Sequence, residues 1–595
     1  MTSRGSVFHS PASLFCLTAC LLAPSPAYPA ERSTFFESVD VHVVNVEVYV
    51  TDRDGKRVPG LSREDFEISE DGKPVKISNF YAIDAAMPAT PAASPALSAP
   101  APPAAAPAAA PVIPAAIPPE QRLYLTLFVD ARSLTAPTRN RLLPALKSFL
   151  AGRLRPEDRL LLVRYDGSVR LLGPTSDPAA LAAALDETAK ESSHGTAAAA
   201  ERRRLLAEIN QATAQNEDES PNRLTFVIEQ AREIYQSIRA YSQNGEAEVR
   251  ATLGALGQLV DSLAGLPGRK AVLVVSGGLS QQPGQDLFRI WQSKFARFAL
   301  RIGATNLDSS HQDTARLFDR LVEHANANRI TFYTLAAPED LSGRSAEMAG
   351  FDHDRVPGGT AAEGLNRSQP LQNLAAGTGG LSAVNSLGPL LDRMRGDLEA
   401  YYSLGYVPAH RRDGKNHPLE VKVRDRALTV RTRAAYRERT AAESTAGRTL
   451  SALLLGEATN PFNPFNIAVS IEGESKDPQG QYQVTLEVKL PMAKLVLVPR
   501  GDAHEGQMRI FVGARDTEGR VSEIQEVTVP IKVPNDQVLA VMSQNLATRV
   551  SLLLRPGEHR LAVGVRDELG NADSITTRTY KVGGSGDAGV RPGTQ

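Results

Sequence analysis

Alternation of apolar and polar positions opens the readable part of this chain. Residues 39–50 (VDVHVVNVEVYV) place an apolar side chain at nearly every second position, the period of a strand. Asp52-Arg53-Asp54-Gly55 marks a turn, and residues 61–80 continue as short strands broken at Glu70-Asp71-Gly72-Lys73. Residues 36–84 therefore read as a small β leader unit. Residues 85–119 are dominated by Ala, Pro and Ser and bury too little apolar surface to fold. They read as an extended linker reaching at most roughly 100 Å.

From residue 120 to 437 strands alternate with helices. Residues 123–129 (LYLTLFV) form a nearly continuous apolar run, as in a strand covered on both faces. Residues 139–150 have helical spacing, residues 159–165 and 168–172 flank the hairpin signal Asp166-Gly167, and residues 177–185 open a helix behind an acidic residue. Residues 270–275, 329–335 and 401–407 read as later strands, joined by right-handed crossovers. The expected fold class is α/β, a doubly wound and mostly parallel sheet. A helical insertion near 197–263 reads as a self-packed hairpin, and residues 342–369, rich in Gly, Ser and Asp, as a mobile loop. Residues 417–436 supply two strands with a turn near Asp425. Repeated alternating runs over 460–582 predict an antiparallel β-sandwich, followed by a disordered tail at 583–595.

A length of 595 residues calls for several cores. The net charge of -1 removes any general attraction to nucleic acid or to an anionic membrane, so no nucleic-acid partner is expected. The basic run Arg202-Arg203-Arg204, beside Glu201 and Glu208, reads as a solvated helix face. Cys16 and Cys20 are the only cysteines, which excludes a disulfide framework, a thiol nucleophile and a cysteine metal site in the rest of the chain. Both lie in residues 1–30, which read as a signal peptide. Arg4 is followed by the apolar residues 13–23 and by the small residues Ser25, Ala27 and Ala30. The expected location is secreted, periplasmic or in the cell envelope. Leu17-Thr18-Ala19-Cys20 also resembles a lipobox, which makes a lipid anchor at Cys20 the alternative. No later segment approaches about 18 uninterrupted apolar residues, so no internal membrane span is expected.

Asp130-Ala131-Arg132-Ser133-Leu134 sits at the carboxyl end of the first apolar run, where open α/β sheets place ligand chemistry. Further along stand LPGRKAVLVVSGGL at 266–279, ANANRITFYTL at 325–335, LAAGTGG at 374–380, DLEAYYSLGYVP at 397–408 and VRTRAAY at 430–436. With residues 46–80 these segments resemble, in order, the acidobacterial VWFA-related family, whose core is a von Willebrand factor A (VWA)-like domain. The resemblance covers roughly residues 40–436 and implies an exported protein with a metal-adhesion loop of the form Asp-x-Ser-x-Ser. Asp130 matches the acid of that loop, whereas Arg132 and Leu134 stand where it has serines, and Ser133 is out of register. Thr196, after Gly195, matches the threonine of the second loop, and Ser276 stands where the third has an aspartate. Hard cations need several oxygen ligands, and only Asp130 and Thr196 remain at matching positions. The expectation is a degenerate site without a cofactor, with weak Mg²⁺ binding as the alternative. An inward Arg132 would replace the ion by pairing with Asp130; an outward one would not.

No HExxH, GxSxG or P-loop pattern is present, and no enzyme is expected. His410 and His417 flank Arg411-Arg412-Asp413-Gly414, which reads as an exposed loop. Asp52, Asp54, Asp65, Glu67, Glu70 and Asp71 read as solvated turn acids, and Trp291 as a helix packing residue. The functional expectation is a binding or adhesion scaffold that meets an extracytoplasmic protein partner through Asp130, Arg132, Ser133, Thr196 and Ser276. A structural envelope component and a weak Mg²⁺-dependent adhesion protein are the alternatives.

Overall fold

A computed structural model of the chain describes residues 43–84, 122–152, 158–191, 193–212, 221–266, 268–304, 311–338, 359–410, 414–456 and 463–583. The expected signal segment, Cys20, the Ala/Pro-rich stretch 85–119, residues 411–413, the tail beyond 583 and residues 342–358 of the expected loop lie outside these. Residues 359–369 of that loop are helical instead.

Alternation in the leader gives strands, but they do not form a unit of their own. β1 (Val44–Thr51) lies between β13 (Thr429–Arg431) and β11 (Ala400–Tyr406), with β4 (Ile77–Asp84) beyond β11, all antiparallel. A second antiparallel sheet runs β14 (Ala435–Arg437), β12 (Asn416–Val423), β2 (Phe66–Glu70), β3 (Lys73–Val75). The two enclose one core around Val46, Val48, Ile68, Tyr402 and Leu404.

The third sheet is mixed. Its order is β10 (Ser382–Val384), β9 (Ile330–Ala336), β8 (Arg269–Ser276), β5 (Leu123–Asp130), β6 (Arg159–Tyr165), β7 (Val169–Thr175). The first five strands are parallel and β7 is antiparallel to β6. On one face pack α1 (Ala136–Leu150), α2 (Pro178–Lys190) and α9 (Leu387–Glu399), through Leu146, Leu185 and Met394. On the other pack the second half of the 44-residue α4 (Pro221–Ala264), α7 (His311–Ala327) and α8 (Gly359–Gly377), through Leu256, Leu321 and Leu374. The inserted α3 (His194–Gln211) and the first half of α4 close on α5 (Gln285–Phe295), which is followed by the single turn α6 (Ala299–Ile302). Trp291 is buried there and donates its indole N–H to Ala231 O at 2.9 Å.

Two further antiparallel sheets share a C-terminal core. One runs β15 (Ala468–Lys476), β16 (Tyr482–Pro491), β20 (Asn545–Leu554). The other runs β17 (Val498–Arg500), β18 (Ala503–Asp516), β21 (Gly557–Asp567), β22 (Ala572–Val582), with β19 (Gln525–Pro534) also on β18. They join the rest through α10 (Ala441–Leu455), in a stretch with no element in the sequence reading. Thr440 and Glu443 cap it reciprocally, a signature present in the sequence. Its Arg448 and Thr445 both meet the carboxylate of Asp573 on β22.

The expected fold class is thus corrected. Among the described residues four of the five sheets are wholly antiparallel and the one with parallel pairs is mixed, so a single doubly wound sheet flanked by separate β units does not describe them. The reason lies in β11. Its run AYYSLGY is buried at nearly every position, because antiparallel neighbours flank it and both of its faces are covered. A short apolar run reads the same whether its neighbours are parallel or antiparallel.

Beneath the amino ends of the parallel strands lies a buried set of charges. Glu47 on β1 accepts from Arg329 at 2.5 Å. Burial pushes the Glu47 carboxyl up, but Arg329 and Arg433 outweigh it and hold the group down at about 2. Arg269 donates to Tyr49 Oη at 3.1 Å and lies 3.7 Å over the ring of Tyr401, while Arg431 and Tyr333 both bind Asp397, at 2.7 and 3.2 Å. Removing one partner of a buried pair costs about 3–5 kcal/mol. Glu47→Ala, which leaves Arg329 uncompensated, is expected to lower stability in chemical denaturation by about that amount.

Candidate functional site

β5 is central in its sheet, with β6 and β8 in parallel register on either side, and ends at Asp130. Asp130 is fully buried. Leu134 N–H returns to Asp130 O at 3.2 Å, and this tight turn brings Ser133 back onto the carboxylate. Ser133 donates its backbone N–H to Oδ1 at 3.2 Å and its hydroxyl to Oδ2 at 2.5 Å. Ser276, the last residue of β8, donates its hydroxyl to the same Oδ2 at 2.7 Å. The two hydroxyl oxygens are 2.9 Å apart, and Gly277 N–H donates to Ser133 Oγ at 2.8 Å. A Cβ at Gly277 or at Gly195 would stand 2.3 or 2.4 Å from Ser133 O, so the loop after β8 and the first turn of α3 approach this turn closely because they carry glycine there. Burial pushes the Asp130 carboxyl above its ordinary range, and the hydrogen bonds from Ser133 and Ser276 only partly oppose it.

Of the five sequence candidates, three converge. Asp130, Ser133 and Ser276 form one network, with Ser133 engaged although it is out of register with the loop pattern. Arg132 instead turns outward and donates to Glu248 on α4 at 3.1 Å. Thr196 is spent elsewhere: its Oγ1 accepts from Ala136 N–H at 3.2 Å, at the start of α1, and lies 3.4 Å from Ser193 Oγ. The residues present do not fit a Mg²⁺ set, the alternative reading of this site. Among the described residues no hydrogen bond joins Asp130 to Thr196, and both Asp130 oxygens already accept from Ser133 or Ser276.

Beside this network opens a cleft of about 80 Å³, lined by Arg132, Ser133, Tyr241, Glu248, Glu363 and Arg367. Sequence reading missed the last four, because α4 and α8 bring them in from distant parts of the chain. Leu279 N–H donates to Arg367 O at 3.0 Å and ties the loop after β8 to α8. Below lies the buried ion pair of Arg202 with Asp286. Burial, together with the Asp286 carboxylate, pushes Glu363 up to about 7 against the pull of Arg367 and Arg202. Among the described residues the Nε–H groups of Arg132 and Arg367 have no acceptor. A larger cavity of about 590 Å³ lies elsewhere, between α4, α10 and the turn at Gly519–Ile524, with Leu259, Leu450 and Leu454 in its wall.

A second cluster corrects the sequence reading of the histidines. His417 is buried, as is Glu70, and His410 is mostly so; the acid and both rings meet instead of being solvated. Glu70 Oε1 accepts from Tyr406 Oη at 2.7 Å and lies 3.2 Å from His410 Nε2. His417 Nδ1 lies 2.8 Å from Asp71 Oδ2, and the two imidazoles stack at 3.6 Å and 11°. Ligand atoms of Glu70, His410 and His417 all fall within 4.8 Å of one another. No sequence signal at a fixed spacing marks this group, since about 340 residues separate Glu70 from its partners.

No family model and no curated protein matches the chain. Among solved structures, a β-glucuronidase of Bacteroides uniformis is similar over 33% of this chain at 11% identity, with a TM-score of 0.14. A GH3 β-glucosidase of Bifidobacterium adolescentis is similar over 47% at 12% identity, with a TM-score of 0.11. The chain spans 20% and 42% of their lengths. No helix among the described residues is long and apolar enough to cross a membrane.

Two outcomes follow from the cleft. The folded state holds the Glu363 proton up to about 7, against 4.5 for the ordinary group, so this residue's contribution to stability falls as pH rises through that window. Glu363→Gln is expected to remove that part of the pH dependence, so that the melting-temperature gap between variant and wild type widens from pH 4.5 to 7 in the variant's favour. A ligand bound only by the folded state raises the melting temperature. Millimolar Mg²⁺ is expected to leave it unchanged, in wild type and in Asp130→Asn alike.

Proposed function

We propose that this protein is a non-enzymatic, extracytoplasmic binding scaffold. It takes a carboxylate of a partner protein into the cleft at the carboxyl edge of β5 and β8, without a bridging metal. The observation that carries this reading is the pair of guanidinium groups, Arg132 and Arg367, that line one cleft. Arg132 has one acceptor, Glu248, in a half-exposed pair. Such a pair is worth at most about 1 kcal/mol, so an incoming carboxylate displaces Glu248 at small cost. A guanidinium–carboxylate contact in the cleft is charge-assisted and directional. The export signal read in residues 1–30 supports the location.

The test uses the full chain and an array of short peptides varying in Asp and Glu content, with free and amidated C-termini. Acidic peptides are expected to be retained, with affinity falling as salt rises. Arg132→Ala and Arg367→Ala are each expected to weaken binding at least about tenfold, the loss of one charge-assisted bond. Equal retention of neutral peptides, or unchanged affinity in both variants, rejects the proposal.

A further inference from the structure

We propose that Glu70, His410 and His417 form a binding site for a borderline divalent cation of the Zn²⁺ type. Three observations converge on it. First, the fold brings one carboxylate and two imidazoles within 4.8 Å in a largely buried place, with Glu70 5% and His417 7% exposed. Two imidazoles with a single carboxylate select Zn²⁺ and its transition-metal neighbours over Mg²⁺ and Ca²⁺, which require oxygen-rich sets.

Second, the surrounding groups orient the ligands. His417 Nδ1 lies 2.8 Å from Asp71 Oδ2, so a carboxylate stands behind this ring. A carboxylate behind a ligating histidine is the usual outer-shell partner of such sites and raises the basicity of the ring. Tyr406 Oη holds Glu70 Oε1 at 2.7 Å in the same way.

Third, His410 Nδ1 is buried without a hydrogen-bond partner among the described residues. A buried imidazole nitrogen with no acceptor or donor is costly, and a metal is one of the few groups that satisfies a bare lone pair. Lone pairs lie in the ring planes, so coordination of one ion by both histidines requires the pair to tilt out of its parallel stack.

The site lies at a seam. Glu70 ends β2, His417 lies on β12, and His410 follows β11, so one ion ties the leader to strands more than 300 residues later. Ion binding would thus close a very long loop in a part of the chain that has no cysteine to do so.

The experiment uses full-length protein freed of metal by a chelator and then dialysed. Isothermal titration with ZnCl₂ is expected to show one ion bound per chain, a raised melting temperature, and no comparable response to Mg²⁺ or Ca²⁺. Co²⁺ substituted for Zn²⁺ is expected to give visible absorption of a histidine-ligated centre. Glu70→Gln and His410→Gln are each expected to lower Zn²⁺ affinity at least about a hundredfold, and Asp71→Asn about tenfold. His410→Gln changes the least buried ligand, and its circular dichroism reports whether the fold is retained. Absence of Zn²⁺ binding, or equal affinity in folded Glu70→Gln and His410→Gln, overturns the proposal, the latter by placing the ion on other histidines of the chain.

Discussion

Everything above the antiparallel base depends on how one carboxylate, Glu47, meets three arginines. Arg269, Arg329 and Arg433 come from the starts of β8 and β9 and from the segment before β14, and all act on Glu47. Buried charge is costly unless paired, and here the pairing is distributed: Arg433 also donates to Asn45 O at 2.7 Å and to Asn326 O at 3.2 Å. This junction sets β1 and β11 against the amino ends of the parallel strands. It therefore determines where those strands point at their other ends.

At the carboxyl ends the solution is different in kind. Asp130 has hydroxyl and amide donors where Glu47 has guanidinium groups, and its carboxyl moves up where that of Glu47 moves down. One end of the sheet is thus held by charge and the other by neutral hydrogen bonds. Charge at the upper end is moved outward by one layer, to Arg132, Glu248, Glu363 and Arg367 around the cleft. The C-terminal sheets take no part in either end. They dock through α10, where Arg448 and Thr445 converge on Asp573 and where Gly564 leaves room for Thr449.

Legibility in the sequence followed the range of the interactions. The run at 123–129, the hairpin at Asp166-Gly167 and the alternating strands after residue 465 depend on neighbours a few positions away, and each forms an element close to its expected place. β11 was read as a strand, yet its partners are β1 and β4, more than 300 residues earlier, and no periodicity encodes that choice. The same holds at the sites. Asp130 and Ser133 are both candidates from the sequence, but Ser133 is out of register with the loop pattern, and the turn that carries its hydroxyl back to Oδ2 follows from a hydrogen bond between Leu134 N and Asp130 O.

Local chemistry was determined by the sequence alone. It specified many of the strands, that Asp130 stands at the end of a buried strand, that the described part of the chain has no thiol, and that Arg132 and Leu134 follow Asp130 at the second and fourth positions. Tertiary structure alone decided which strands pair, that Arg132 meets Glu248 instead of Asp130, and that Glu70 shares a pocket with two histidines. The physical reason is common to all three. A side chain's charge state and partners are set by burial and by groups brought near in space, and in a chain of many short strands those groups arrive from hundreds of residues away.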